Sequence, residues 1–261
     1  MAKSDDSVLN IEGLSRHFGG IRALENVSFH LRKGSITSLI GPNGAGKTTF
    51  INVVTGIHLP ETGHVYFQGE DIAGLPAHIV ASKGIGRTFQ LEDLFGSLTV
   101  LENAMVGCHV RSDSGMLSCG FSLPRARREE KEIRDFAFEN LKVVGLEGRA
   151  NEPVARLPLG ERKLAGVARA LSMKPDLLML DEPVGGLDTH EITQLTDMIH
   201  MLTDRGLTVF IVEHNMPFVM SLSEKVIVLD EGVKIAEGPP DEVRSNEEVI
   251  KAYLGEEVCH E

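Results

Sequence analysis

Apolar positions along this chain follow two different periods. In the amino-terminal third, short apolar runs broken by turns, SVLNIEGL, VSFHLRKG, SITSLIG and GHVYFQG, predict strands. From about residue 98 to 174 the spacing becomes helical, in LTVLENAMVG, REEKEIRDFAFENLKVVGL and ERKLAGVARALSM. The intervening CHVRSDSGMLSCGFSLP, rich in Ser, Gly and Cys, predicts an exposed loop over about 107–125. The last third alternates again: DLLMLDEP as strand, HEITQLTDMIHMLTDRG as helix, LTVFIVEH as strand, then EKVIVLDEG and VKIAEG as a β-pair. Strands alternating with helices predict an α/β fold with a mostly parallel sheet covered on both faces. The expected division is a core with a β-rich subdomain over 1–97 and 175–261, and an inserted helical subdomain over 98–174.

Composition narrows the picture little. A chain of 261 residues, 42% hydrophobic and 25% charged, has ample material for one large globular unit. Its formal charge of −12 argues against a general nucleic-acid or anionic-lipid binder, both of which need basic surface. The basic run Arg125 to Arg128 reads as a solvated helix face. Three cysteines, Cys108, Cys119 and Cys259, are odd in number and not spaced as metal ligands, so reduced, incidental thiols are expected. MAKSDDSVLN holds no apolar run of signal-peptide type, and no segment approaches the ~18 apolar residues of a membrane span, so a soluble chain is expected.

Four segments carry chemistry. GPNGAGKTT satisfies GxxxxGKS/T directly after the strand SITSLI and predicts a P-loop NTPase. Gly41, Pro42, Asn43, Gly44, Ala45 and Gly46 would turn their backbone into a phosphate nest at the start of the helix near Lys47. Lys47 adds a point charge, Thr48 offers a hydroxyl to Mg²⁺, and Thr49 completes the motif. LLMLDEP is an apolar strand ending in two acids, which are costly there unless they meet a cation. Asp181 would hold Mg²⁺ and Glu182 would act as general base or position the attacking water. His214 ends the strand IVEH at the sheet edge where ligands sit, within reach of a γ-phosphate. Gln90, in GIGRTFQ, ends a strand and has an amide able to bridge Mg²⁺ or water.

GPNGAGKTT, TFQ, LPLGE before a helix, LLMLDEP, GGLD and IVEH, in this order, resemble the nucleotide-binding subunit of ABC transporters over nearly the whole chain. RHFGGIRALENVSF, LFGSLTVLEN, EGPPDEV and VIKAYLG are similar to the branched-chain amino acid importer ATPases of the LivG type. The resemblance implies an ATPase using ATP and Mg²⁺, with Phe18 stacking on adenine and Asp188 at a dimer seam. It implies two permease subunits, a second ATPase subunit, identical or not, and indirectly an extracytoplasmic solute-binding protein. The place so implied is the cytoplasmic face of the plasma membrane, peripherally bound. Solutes such as urea, or an export system, are alternatives. Non-transport relatives in DNA repair or translation usually carry a coiled coil or tandem units, and neither is visible here. A P-loop kinase would need an acceptor pocket in place of the LPLGE-type helix start.

In that family, the segment matching Leu157, Pro158, Leu159, Gly160 and Glu161 reads Leu, Ser, Gly, Gly, Gln and grips the opposite subunit's γ-phosphate. Pro158 brings neither hydroxyl nor N–H, and Leu159 and Glu161 replace Gly and Gln. Gly160 keeps a bare backbone able to approach a ligand, and Leu164, Val167, Ala168 and Leu171 form an anchoring stripe. Two readings stay open: an asymmetric pair in which a partner's fuller segment completes this chain's site, or a tolerated change because amides and helix dipole suffice.

Overall fold

A computed structural model describes residues 6–88, 94–109 and 124–257 of the chain. Ten strands form two sheets among these residues. β1 (Ser7–Phe18), β2 (Ile21–Arg32), β4 (Thr62–Phe67) and β5 (Glu70–Asp71) make an antiparallel sheet in the order β2-β1-β4-β5. The second sheet runs β10-β9-β3-β8-β7-β6, built from β3 (Ile36–Ile40), β6 (Ile85–Arg87), β7 (Leu177–Asp181), β8 (Thr208–Val212), β9 (Lys225–Asp230) and β10 (Val233–Gly238). All its pairings are parallel except β9 with β10, as the sequence pattern predicts for a sheet covered on both faces.

The alternation of side chains shows what covers each face. Ile36, Leu178, Leu180, Val209, Ile211, Val226 and Val228 enter one core cluster, together with α3 (Val100–Cys108), α4 (Pro124–Val143), α5 (Leu159–Leu171), α6 (Thr189–Asp204) and α7 (Met216–Leu222). Leu39, Leu177, Met179, Phe210, Val212, Ile227 and Leu229 point the other way, into a cluster with the antiparallel sheet and α1 (Lys47–Val54). Phe29, Phe50 and Phe210 join these layers through ring contacts, Phe29 and Phe50 lying 5.2 Å apart by centroid. The parallel sheet is therefore the middle of three layers, and its strand ends form an edge at which loops from both sides meet.

Several boundaries differ from the apolar pattern. β1 runs past the SVLNIEGL segment to Phe18 because Gly13, at φ +61, sits in a bulge that lets pairing with β2 resume. β2 begins at Ile21, well before VSFHLRKG, and passes through Asn26 at φ +51. The helices α2 (Ala77–Ser82), α7, α8 (Pro240–Arg244) and α9 (Glu247–Glu257) have no counterpart in the period analysis. Helix α3 starts where Thr99 and Glu102 close a capping box. Residues 110–123 of the Ser- and Gly-rich loop, Cys119 among them, and Cys259 lie outside the described residues, whereas the ends of the predicted loop are helical: Gly107 and Cys108 close α3, and Pro124 and Arg125 open α4. Among the described residues no helix is long and apolar enough to cross a membrane.

Candidate functional site

The loop after β3 is held rigidly by backbone. A Cβ on Gly41 would lie 2.1 Å from the Leu229 carbonyl oxygen, and one on Gly46 would lie 2.2 Å from that of Ala23. Both positions are open to glycine alone at these contacts, and Gly46 has φ +98. The Gly232 N–H donates to the Ala45 carbonyl at 3.1 Å, so the β9–β10 turn braces the loop from a third side. Lys47 opens α1 and is buried, its Nζ donating to the carbonyls of Gly41 at 2.6 Å and Pro42 at 2.8 Å. The Lys47 ammonium thus lies over the same loop as the exposed residues Asn43 and Gly44.

Asp181, Glu182 and His214 emerge where the sequence places them, at the ends of the adjacent strands β7 and β8. The Asp181 carboxylate accepts a hydrogen bond from Arg87 at 2.9 Å, with both side chains under a tenth exposed. Arg87 also donates to Asn52 Oδ1 at 2.7 Å, which ties β6, β7 and α1 together. Thr48, Thr88, Asp181 and Glu182 line one cleft of about 360 Å³ together with Leu159, Lys163 and Leu187. A hydroxyl and a carboxylate on one cleft are the oxygen ligands that Mg²⁺ takes, with phosphate and water completing its shell. Among the described residues no cluster of three or more His, Cys, Asp or Glu could hold a metal by itself.

Glu182 has its side chain exposed and its backbone at φ +47, a left-handed conformation uncommon outside glycine. Its N–H donates to the Val212 carbonyl at 2.9 Å, and its carbonyl accepts from Lys163 Nζ at 2.7 Å. His214 Nδ1 lies 3.9 Å from Glu182 Oε1 and 3.7 Å from Glu213 Oε2, so the imidazole faces two carboxylates. Glu213 is fully buried and accepts three backbone N–H groups: Val184 at 3.0 Å, His214 at 2.8 Å and Asn215 at 3.1 Å. Burial lowers the Lys163 pKa, opposed by the charges of Glu213 and Glu182. Arg87, Lys163 and Glu213 are site residues that the sequence reading passed over. For Glu213 the available signal was an acid directly after a buried apolar strand, the same one that singled out Asp181, whereas Arg87 and Lys163 find their partners only through the fold.

Pro158 caps α5 with no side-chain hydrogen bond, as expected from its chemistry. Val167, Ala168 and Leu171 are buried and Leu164 packs against the same core cluster, so the apolar stripe does anchor the helix. Glu161 turns to Arg149, its Oε2 lying 3.4 Å from Nε. Leu157 is buried, whereas Pro158 is exposed. Gly160 has an occupant inside the chain: a Cβ there would lie 2.0 Å from Glu191 Oε1. Glu191 in turn forms a capping box with Asp188, which is exposed and starts α6. The bareness of Gly160 is thus required by Glu191, whatever ligand its amide meets.

Phe18 stands at the tip of the β1–β2 hairpin, paired with Ile21, and Ala23 of the same hairpin touches Gly46. The Arg16 guanidinium lies 4.5 Å from its ring centroid and His58 meets it edge-on at 5.4 Å. Gln90 lies outside the described residues, two positions beyond Thr88, whose N–H pairs with the Met179 carbonyl at 2.9 Å.

The family model described as "ABC transporter" matches residues 24–185, and that of the "Branched-chain amino acid ATP-binding cassette transporter" matches 233–258. The high-affinity branched-chain amino acid transport ATP-binding protein BraF of Pseudomonas aeruginosa is 40% identical over 250 residues, covering 95% of this chain and 98% of BraF. LivG of Salmonella typhimurium, a protein of the same description, is also 40% identical with the same coverage. Among solved structures, the ADP conformation of MJ1267, an ATP-binding cassette of an ABC transporter, aligns with TM-score 0.84 and 32% identity, covering 95% of this chain and 99% of that one.

Proposed function

This chain belongs to the ABC transporter family of ATP-binding proteins, and on that premise we propose that it is the ATP-hydrolysing subunit of an importer for branched-chain or other hydrophobic amino acids. The observation that carries the reading is the convergence of three chemistries on one sheet edge. The phosphate loop follows β3, Glu213 and His214 follow β8, and Asp181 and Glu182 end β7, in the spatial order β3-β8-β7.

In this reading the amides of Gly41 to Thr49 and Lys47 bind the β- and γ-phosphates, and Phe18 stacks on adenine. Thr48, Asp181 and Gln90 would hold Mg²⁺, which when bound neutralises phosphate charge. Glu182 orients or deprotonates the attacking water, and His214 donates toward the γ-phosphate. The segment Leu157 to Glu161 faces the nucleotide of a second ATPase subunit, with Asp188 at the seam between them. Residues 98–174 form the helical subdomain and carry this segment, while 1–97 and 175–261 form the nucleotide-binding core. The partners are two membrane permease subunits, with an extracytoplasmic binding protein acting through them. The chain works at the cytoplasmic face of the plasma membrane, as a peripheral subunit, and its net charge of −12 accords with having no nucleic-acid partner. The relatives' names and the carboxy-terminal family match support amino acids over urea or an exported solute.

The test is the complex extracted from membranes in detergent and reconstituted with its binding protein. Hydrolysis of MgATP should rise with leucine, isoleucine or valine. Glu182→Gln should keep MgATP binding while turnover falls about a hundredfold or more. A complex that binds no MgATP would overturn the ATPase reading, and one stimulated only by a non-amino-acid solute would overturn the substrate class.

A further inference from the structure

We propose that Lys163 is a positioning residue that couples the two ATP sites of the closed pair, by tying the helix start at Leu157–Glu161 to the backbone of Glu182 in the same chain. The inference rests on the ATPase reading above.

Lys163 stands one turn into α5 beyond Gly160. A lysine on a helix surface ordinarily keeps its ammonium in water. Here Lys163 is half-buried, and Nζ turns onto the chain's own backbone and donates to the Glu182 carbonyl at 2.7 Å. Glu182 holds φ +47, a conformation that persists in a non-glycine residue only when its surroundings over-determine it. The surroundings are two hydrogen bonds: the N–H goes to Val212 of β8 and the carbonyl to Lys163 of α5. One belongs to the sheet and cannot move without it. The other belongs to the helix that begins at Pro158, so the geometry of Glu182 follows the position of that helix.

Two further contacts make α5 and the turn after β7 a single unit. A Cβ at Gly186, where φ is +75, would lie 2.6 Å from Leu159 Cδ2, so the leucine is seated on that turn. At Gly160 the space a side chain would fill holds Glu191, which caps Asp188. Leu159, Gly160 and Lys163 therefore contact, in order, Gly186, Glu191 and Glu182.

In a pair where this helix start meets the partner's nucleotide, its position reports the occupancy of that site, whereas Glu182 serves the nucleotide on this chain's own phosphate loop. Lys163 is then a direct link between the two. Losing a hydrogen bond from a charged donor at that link should lower turnover about tenfold or more.

The experiment compares the detergent-purified complex carrying wild-type chain, Lys163→Met, which keeps the apolar stem, and Lys163→Arg, which keeps the donor. MgATP turnover, KM, Hill coefficient and binding of a fluorescent ATP analogue are measured for each. Lys163→Met should lose about tenfold in kcat with KM and analogue binding within about twofold, and its Hill coefficient should fall toward one. Lys163→Arg should restore most of the turnover and the cooperativity. Unchanged kcat and Hill coefficient in Lys163→Met would overturn the proposal. So would a loss of kcat with cooperativity intact, which leaves Lys163 serving its own site alone, and so would equal collapse of both variants together with analogue binding. An inactive wild-type complex would instead bring down the ATPase reading, and the coupling with it.

Discussion

Replacing Glu213 tests whether the turns after β7 and β8 are held by one buried carboxylate. Its Oε1 accepts from the Val184 N–H, in the turn after β7, and its Oε2 from His214 and Asn215, in the turn after β8. Glutamine has the same shape but only one acceptor oxygen. Its best orientation keeps that oxygen on His214 and Asn215 and sets its NH₂ against the Val184 N–H. One charge-assisted hydrogen bond is lost, two become neutral, and a buried donor is left unpaired. A hydrogen bond to a charged group is worth about 1.5–3 kcal/mol and an unsatisfied buried donor costs about 1–3 kcal/mol, so Glu213→Gln should destabilise the chain by about 2.5–6 kcal/mol. Glu213→Ala orphans all three N–H groups and leaves a void, so its cost should exceed that of glutamine by at least about 1 kcal/mol. Urea unfolding followed by circular dichroism measures both, with the slope on denaturant unchanged if the unfolded state is unaffected. A loss below about 0.5 kcal/mol for the glutamine variant, the size of an ordinary surface change, would refute the argument, as would equal losses in the two variants.

Gly160→Ala should gain about 1 kcal/mol of helix propensity and lose a similar amount as its Cβ displaces Glu191 from the Asp188 cap. Thermal unfolding should therefore shift little while MgATP turnover of the complex drops, and wild-type turnover in this variant would contradict the role given to the Glu191 contact. At Glu237, burial pushes the pKa up, but hydrogen bonds and charge from Lys225 and Lys234 outweigh it and hold the carboxyl below its ordinary 4.5. A depressed folded pKa stabilises above the unfolded value, and the stabilisation is lost as pH falls through the folded one. Glu237→Gln should thus be about 1 kcal/mol less stable than wild type at pH 7, and the two unfolding curves should converge in acid; a difference that persists unchanged there would contradict the assignment.

Much of this molecule was legible because its information is local. The phosphate loop needs closely spaced glycines after a strand, and GPNGAGKTT supplies Gly41, Gly44 and Gly46 in one stretch. The central strands read clearly because both their faces are buried, so that Leu177 to Leu180 and Val209 to Val212 are unbroken apolar runs. Other features depend on partners distant in sequence. Arg87 resembles an ordinary strand residue until the fold brings Asp181 beside it. Lys163 reads as part of the polar face of an amphipathic helix, and only the turn after β7 brings the Glu182 carbonyl to its ammonium. The length of β1 was hidden by Gly13, which reads as a strand terminator and acts as a bulge. Glu213 was the most readable of the missed residues: it sits inside IVEH, where attention to the histidine obscured the costlier neighbour.

The arrangement of cations suggests how such a site stays formed without collapsing on its own charges. Lys47 is satisfied by the carbonyls of Gly41 and Pro42, Arg87 by Asp181 and Asn52, and Lys163 by the carbonyl of Glu182. Two of the three cations thus rest on neutral carbonyl oxygens, which are weaker partners than anions. On the proposed function, phosphate binding exchanges the carbonyl bonds of Lys47 for bonds to charged oxygens, a favourable exchange. The loop does not have to fold around the ligand, because Leu229 and Ala23 already fix Gly41 and Gly46 against the sheet and the hairpin. Affinity is then determined by the exchange at Lys47 with little ordering cost. Arg87 differs in kind: its partner is the carboxylate assigned to Mg²⁺, and both are buried, so removing the guanidinium would leave an uncompensated charge even where no nucleotide is bound. On the proposed function, the carboxylate that would bind Mg²⁺ is accordingly maintained by the fold itself, and nucleotide meets a site whose electrostatics are already set.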